Sequence, residues 1–390
     1  MSNIVYVGVF DFPFGQAASK RVLGNVKLLK KLGYEVIVGH GGEEIFSQFR
    51  DDDVTIDCYG LDELFNSRSA FLKLLSYIFK SGDNTIKWLD QLKQKPDYVI
   101  VYGGYYRYAK KLLEYCDVKK IKIIFDIVEW YEPAQMLGGR FGFFYNSFLL
   151  AFKFIYPKAD GLIVIGSKLK EVFHDSKLVV IPPLVATNLS TNYSINNEIL
   201  SLIYAGNIGN KDTLLQIIQV VDKLSLENKI KFDIFGPTKE EIQKKYNINI
   251  INKSINIHGK IKQEEINSFI SKADFTIFTR PDTHCNRYGF PSKFVESLSL
   301  GVPVATNLTS DIGLYLKDEY NGFIISDCSE NAIETTIRKM LMLSQAQKII
   351  MKENAFMTAE EHFSSRSLRL RENVSNFFNS LAKKSTHEEN

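Results

Sequence analysis

Short apolar runs of strand length recur along this chain in two series, with helically spaced segments between most of them. The first series occupies residues 4–10, 35–39, 98–102, 121–125, 161–165 and 178–181. The second occupies 201–205, 231–235, 256–258, 275–279, 302–306 and 322–325, with helices expected at 213–224, 263–272, 292–300 and 330–343. A run that is apolar on both faces must be buried on both faces. Strands of that kind alternating with helices predict a parallel, doubly wound sheet. Residues 186–198 are polar and carry neither period, so they read as a linker. The expected organisation is an α/β domain over 1–185, the linker 186–198, and a second α/β domain over 199–363. A helix with a polar tail then fills 364–390.

A length of 390 residues gives each half room for its own core, and 45% hydrophobic with 24% charged residues excludes a disordered chain. The formal charge of +3 is too small to argue for a nucleic-acid partner. Cys58, Cys116, Cys285 and Cys328 form no CxxC pair and read as thiols in a reducing compartment. The N-terminus lacks the basic region of a signal peptide, and no apolar run of about 18 residues is present. The protein is expected to be cytoplasmic. No metal is expected either. The histidines are scattered, and Asp51-Asp52-Asp53 reads as a solvated turn in a polar loop.

The segment from Arg280 to Glu296, RPDTHCNRYGFPSKFVE, is followed by SLSLGVPV. A loop leaves a strand, turns at Gly289-Phe290-Pro291 and enters a helix near Ser292. Backbone N–H groups at that entry could cradle a phosphate, with charge from Lys293 and a sugar-binding carboxylate at Glu296. The same spacing also describes an ordinary capped helix with a surface glutamate. Two tandem α/β domains are expected to line a cleft with strand ends and helix N-termini, which suits a diphosphate.

GFPSKFVESLSLGVPV resembles the donor-binding region of GT-B glycosyltransferases of family 4. The resemblance continues, in family order, through Tyr204-Ala-Gly-Asn-Ile-Gly-Asn-Lys211-Asp, Phe232-Asp-Ile-Phe-Gly236, Ile257-His-Gly259 and Ala273-Asp-Phe-Thr-Ile-Phe278. In the first half it includes Ala159–Ser167 and Val180-Ile-Pro-Pro183, so it covers nearly the whole chain. It implies a GT-B fold of two Rossmann-like domains and a final helix returning to the first. It also implies metal-independent, retaining hexosyl transfer from a UDP- or GDP-type sugar held mainly by the second domain. On this basis Lys211 and Arg280 stabilise the diphosphate, Glu296 holds a ribose or sugar hydroxyl, and Gly15 lets backbone approach the phosphates. Asn207, Gly236, Pro237, Tyr288, Gly289, Phe290, Pro291 and Lys293 complete the donor site. Three positions depart from the family pattern. Tyr288 stands where the first glutamate of Glu-x7-Glu would be, Arg280 supplies the charge of an arginine missing near Asn207, and Asp126 replaces a histidine. A subset of the family uses Gly-Phe-Pro-x-Lys in this way.

Asp126 follows a buried strand and is expected to project, with Glu129, beside Trp130, as a catalytic carboxylate that orients a sugar acceptor. Tyr105 lines the same side. The competing description is a helix-capping aspartate with a core tryptophan. Residues 141–156 are unusually aromatic, with Arg140, Lys153 and Lys158 around them. They suit either a helix resting in a bilayer interface or one buried on both sides. Residues 1–183 carry 24 Lys+Arg against 21 Asp+Glu and so hold the whole excess charge. The expected acceptor is a glycan or lipid-linked glycan of a surface polysaccharide, which would place the protein at the inner face of the cell membrane. A GT-B nucleotide-sugar epimerase and a non-catalytic transferase partner are the alternatives. A dinucleotide dehydrogenase is disfavoured because no GxGxxG follows the first strand.

Overall fold

The computed structural model describes residues 2–15, 17–43, 45–51, 54–63, 75–77, 80–187, 198–209, 211–250 and 252–382. Most of the expected linker, Asp52, Asp53 and the polar tail beyond 382 lie outside them. The chain divides into two compact units. The first is Met1–Leu184 with the C-terminal segment from Ser365, and the second is Val185–Ser364.

In the first unit the strands are β1 Asn3–Val7, β2 Glu35–His40, β3 Phe46–Asp51, β4 Val54–Gly60, β5 Tyr98–Tyr102, β6 Lys122–Ile127, β7 Gly161–Val164 and β8 Leu178–Val180. They form one sheet in the order β3-β4-β2-β1-β5-β6-β7-β8. All neighbours are parallel except β3, which runs antiparallel to β4 at the edge. The helices are α1 Ala17–Lys31, α2 Asp83–Gln91, α3 Tyr106–Lys119, α4 Phe143–Phe154 and α5 Ser167–Val172. Residues 4–7 of β1 are wholly buried, which is why the run is apolar without alternation. The strand stops at Val7, and Gly8 starts the loop that carries Pro13 and Gly15.

The second unit holds β9 Leu200–Ala205, β10 Ile230–Phe235, β11 Ile255–Gly259, β12 Phe275–Ile277, β13 Val304–Thr306 and β14 Gly322–Ile324. Their order is β11-β10-β9-β12-β13-β14, parallel throughout. Its helices are α6 Leu214–Leu224, α7 Lys239–Tyr246, α8 Gln263–Lys272, α9 His284–Tyr288, α10 Ser292–Ser299, α11 Glu330–Leu341 and α12 Gln345–Phe363. The last helix, α13 Leu368–Ala382, belongs to the first unit, where the Phe378 ring packs on Tyr34 and Tyr98 at 4.9 and 5.0 Å.

Strand β4, whose burial alternates along its length, is absent from the expected series, and two further features depart from the sequence expectation. Asp51 is not in a loop: it ends β3 and forms an ion pair with Lys27 of α1. The strand escaped notice because β3 is mostly exposed and therefore polar. The other is α12, whose buried stripe reads Lys348, Met351, Lys352, Ala355, Thr358, Ala359 and Phe363. Its inner face thus includes two lysines and a threonine, which erases the apolar period. Lys348 reaches Asp274 at 3.1 Å, and the Lys352 ammonium donates to the Ala273 carbonyl at 2.5 Å.

Burial lowers Lys352 to about 8, partly offset by Asp274. The unfolded chain therefore binds more protons than the folded one between about pH 8 and the ordinary lysine value near 10.5, and folding gains stability as pH rises through that window. Urea denaturation of the wild type and Lys352→Met at pH 7.5 and pH 10 should show the wild type gaining relative to the variant. A constant difference would contradict the placement of this ammonium.

Candidate functional site

In an open parallel sheet the ligand crevice lies outside the carboxyl ends of the strands, where the strand order reverses. In the second unit that point falls between β9 and β12. The loops after these two strands are tied to each other. Asn286 Nδ2 donates to the carbonyls of Lys211 and Pro281 at 3.0 and 2.9 Å, and the Thr213 N–H donates to the Thr279 carbonyl at 2.9 Å. The loop after β10 closes on them through Gly236, whose φ is 113°. A Cβ at Gly236 would strike the carbonyl oxygen of Gly206, so both the backbone angle and the close approach require glycine.

Asp212, which no motif in the sequence marks, is the centre of this arrangement. Its Oδ2 is paired with the Lys293 ammonium and accepts a hydrogen bond of 2.8 Å from the Tyr204 hydroxyl. Its Oδ1 lies 3.6 Å from Nε of the buried Arg280. Lys293 projects from the first turn of α10, with its ammonium 4.3 Å from the Tyr204 ring centroid and 5.2 Å from that of Phe278. Arg280 is fixed by its backbone. Its N–H donates to Asn307 Oδ1 at 2.8 Å, and its carbonyl accepts from Asn307 Nδ2 at 2.7 Å.

The electrostatics follow from this burial. Desolvation pushes Lys293 below its ordinary value, and the Asp212 carboxylate works against that push. Burial opposes the charge on Asp212 too, but Lys293 and Arg280 hold the carboxyl below the usual carboxylate range. Burial and Asp212 drive Tyr204 well above the usual phenol range, so it remains a donor. Glu296 lies one turn beyond Lys293, and its negative charge favours the charged ammonium. A buried arginine and a half-buried lysine thus share one carboxylate beside the switch point, an arrangement able to receive an anion.

The expected donor-site residues divide between this cluster and its surroundings. Arg280, Lys293 and Glu296 are in or beside it. Lys211 is exposed, next to Asp212 in the chain. Asn207 is exposed, and its carbonyl accepts from the N–H of Gly209 at 2.9 Å. Pro237 and Gly289 are buried. Pro291 is the N-cap of α10, where no side chain caps the helix. The Tyr288 ring lies 4.6 Å from that of His284. The half-buried Phe290 ring packs against Phe294, Tyr315 and Phe363 at the edge of the core.

In the first unit the strand order reverses between β1 and β5. Gly15 lies in the loop after β1, where a Cβ would run into Ser19 Oγ. Tyr105 follows β5 as the N-cap of α3, and its ring packs against Tyr77 and Phe144 at 5.3 and 5.4 Å. Glu129 accepts a bond of 3.3 Å from Gln135, and the Trp130 ring lies 4.7 Å from that of Phe152.

Asp126 overturns the role expected of it. It is completely buried within β6. Its Oδ1 takes Arg21 Nη2 at 2.8 Å, while Oδ2 takes the Tyr6 hydroxyl at 2.5 Å, Asn25 Nδ2 at 3.1 Å and Arg21 Nε at 3.2 Å. Arg21 Nη1 continues to the carbonyls of Ile181 and Pro182. A carboxylate saturated in this way holds α1 to the sheet and orients no acceptor. Arg21 and Asn25 lie four apart on α1 and could have been seen as a polar stripe on a buried helix. Among the described residues no group of His, Cys, Asp or Glu could hold a metal ion.

Residues 187–356 match the sequence model of the family described as glycosyl transferases group 1. A search of curated proteins finds no match. The fold is similar to sucrose-phosphate synthase from Thermosynechococcus elongatus, at 14% identity and a TM-score of 0.68 over 98% of this chain and 99% of that one. It is similar also to a glycosyltransferase from Rickettsia africae, at 16% identity and 0.66 over 98% and 100%. HepE of Anabaena, solved in complex with UDP-glucose, gives 11% and 0.65 over 97% and 100%. The protein thus has the GT-B fold, its second unit carries a glycosyl transferases group 1 domain, and it is a glycosyltransferase.

Removing the partner of a buried charge costs about 3–5 kcal/mol. Asp126→Ala, which strands Arg21 inside the first unit, should lose stability on that scale in urea denaturation. A loss within about 0.5 kcal/mol, the usual result at an exposed site, would return Asp126 to the surface.

Proposed function

We propose that the protein transfers a hexose, with retention at the anomeric carbon, from a nucleoside-diphosphate sugar to a glycan or lipid-linked glycan acceptor. The reading is carried by the Lys293–Asp212–Arg280 cluster at the switch point of the matched domain. Transfer breaks the bond between the anomeric carbon and the diphosphate oxygen, which leaves with the electron pair. Negative charge grows on phosphate while the sugar gains oxocarbenium character. Fixed cations and the uncapped N-terminus of α10 meet that charge without reorganising, which lowers the barrier. Lys293 and Arg280 are the preorganised cations in this scheme, with the exposed Lys211 as a third. Glu296 takes a donor hydroxyl.

Charge neutralisation by these side chains makes the reaction metal-independent on this reading. UDP is the favoured leaving group, supported by the UDP-glucose bound to the structurally similar HepE, and GDP is the alternative. Glu129, Trp130 and Tyr105 are the groups proposed for the acceptor, with Asp126 now excluded. The pathway proposed is assembly of a surface polysaccharide, with the protein working in the cytoplasm at the inner face of the cell membrane. No helix among the described residues is long and apolar enough to cross a membrane.

Calorimetric titration with UDP, GDP, ADP and CMP tests the donor site. One diphosphate should bind, and Lys293→Ala should weaken it about 10- to 100-fold, the worth of a charge-assisted hydrogen bond. Lys211→Ala and Glu296→Ala should have smaller effects. Slow hydrolysis of the matching nucleotide sugar should survive EDTA. If no nucleotide binds and no sugar is released, the protein is better described as a non-catalytic transferase partner. An epimerised free sugar formed without acceptor would point to an epimerase.

A further inference from the structure

We propose that the outward face of α4, with the turn before it, is a docking surface for an anionic lipid bilayer. This rests on the membrane-face part of the function proposed above and not on the donor site. One side of α4 is committed to the core: Phe148 packs on Tyr131 at 5.2 Å, and Phe152 packs on Trp130 and Phe173 at 4.7 and 4.9 Å. The other side carries Phe143, Leu150 and Phe154, at positions i, i+7 and i+11 of one helical stripe, and all three are exposed. Phe141, just before the helix, is 94% exposed, and Leu137 stands out beside it in the chain at 83%. Isolated surface apolar residues need no explanation, but five in one helix and its entry turn mark a contact surface.

The charges choose the occupant. Residues 133–159 contain no Asp or Glu, yet they include Arg140, Lys153 and Lys158. These three cations are exposed and make no ion pair among the described residues. Where acids are at hand in the same unit, lysines do pair: Lys111 with Asp83, Lys119 with Asp90 and Lys122 with Asp160. An apolar stripe fringed by unmatched cations and free of carboxylates complements acyl chains beneath anionic headgroups. A second copy of the same face would set these cations against their own kind, which argues against a symmetric dimer.

The test is co-sedimentation of the full chain with vesicles of phosphatidylcholine alone or with 30 mol% phosphatidylglycerol (roughly the anionic content that recruits polybasic segments). The wild type should bind the anionic vesicles and release in high salt. Phe143→Ser/Leu150→Ser/Phe154→Ser and Arg140→Glu/Lys153→Glu/Lys158→Glu should each weaken partitioning at least about tenfold. Both variants should keep the wild-type melting temperature and nucleotide affinity. The proposal fails if the wild type stays in the supernatant or if the variants sediment as it does. It fails also if sedimentation velocity without vesicles shows a dimer that the variants dissolve, since the occupant is then a second copy. Nucleotide binding in the same samples reports on the second unit alone, so failure here and failure of the donor site are distinguishable.

Discussion

A charge carried into a protein interior has to be met by donors from whichever segments surround it, and two carboxylates impose that requirement here. Asp126 gathers Arg21 and Asn25 from α1 and Tyr6 from β1, and Arg21 then reaches the carbonyls that follow β8. Four stretches that are distant in sequence are thereby fixed in rotation and register by one ionised group. Asp212 does the same in the second unit, gathering Tyr204 from β9, Arg280 from the loop after β12 and Lys293 from α10. Loss of one partner leaves the rest buried and unmatched, so each cluster acts as a unit.

The two clusters differ in a way that bears on function. Asp126 is closed: a bidentate arginine, a tyrosine and an amide occupy its oxygens, and Arg21 spends its remaining donors on backbone. Such an assembly stabilises, and it has nothing to offer a substrate. Asp212 instead divides its charge between two cations, one of them a lysine that burial has pushed toward neutrality. An arriving diphosphate would relieve both cations of a partner they share. On the proposed function the carboxylate therefore holds the cations in place without saturating them, so that the donor meets an aligned pair of charges.

How much of this was legible depended on which physical quantity the sequence records. Apolar runs gave every strand but β3 and β4, because a strand buried on two faces has no freedom in its composition, whereas the burial of β4 alternates. The polar edge strand β3 and the lysine-lined α12 were missed for the converse reason, that their side chains answer to particular partners and not to a period. In the site, motif spacing found Arg280, Lys293 and Glu296 together, while the resemblance gave the diphosphate to the exposed Lys211 and not to the half-buried Lys293. It passed over Asp212 altogether. Spacing places residues on elements and says little about which are desolvated, and desolvation is what separates a surface lysine from an anchored one. Asp126 failed for the same reason: its strand was recognised, and the arginine four strands' worth of chain away was not.

Matched and unmatched charge is the criterion that carries over from one unit to the other. Several lysines of the first unit are paired with an acid beside them and others are not, so an unmatched cation carries weight only where it coincides with a second feature. Around α4 three unmatched cations coincide with an apolar stripe, over a stretch that excludes carboxylates. Hydrophobic exposure alone would be ambiguous between lipid, a partner and a second copy, and positive charge alone would be an ordinary solvated surface. Their superposition on one helix face narrows the chemistry, because a bilayer with anionic headgroups presents both complements within the same few ångströms of depth.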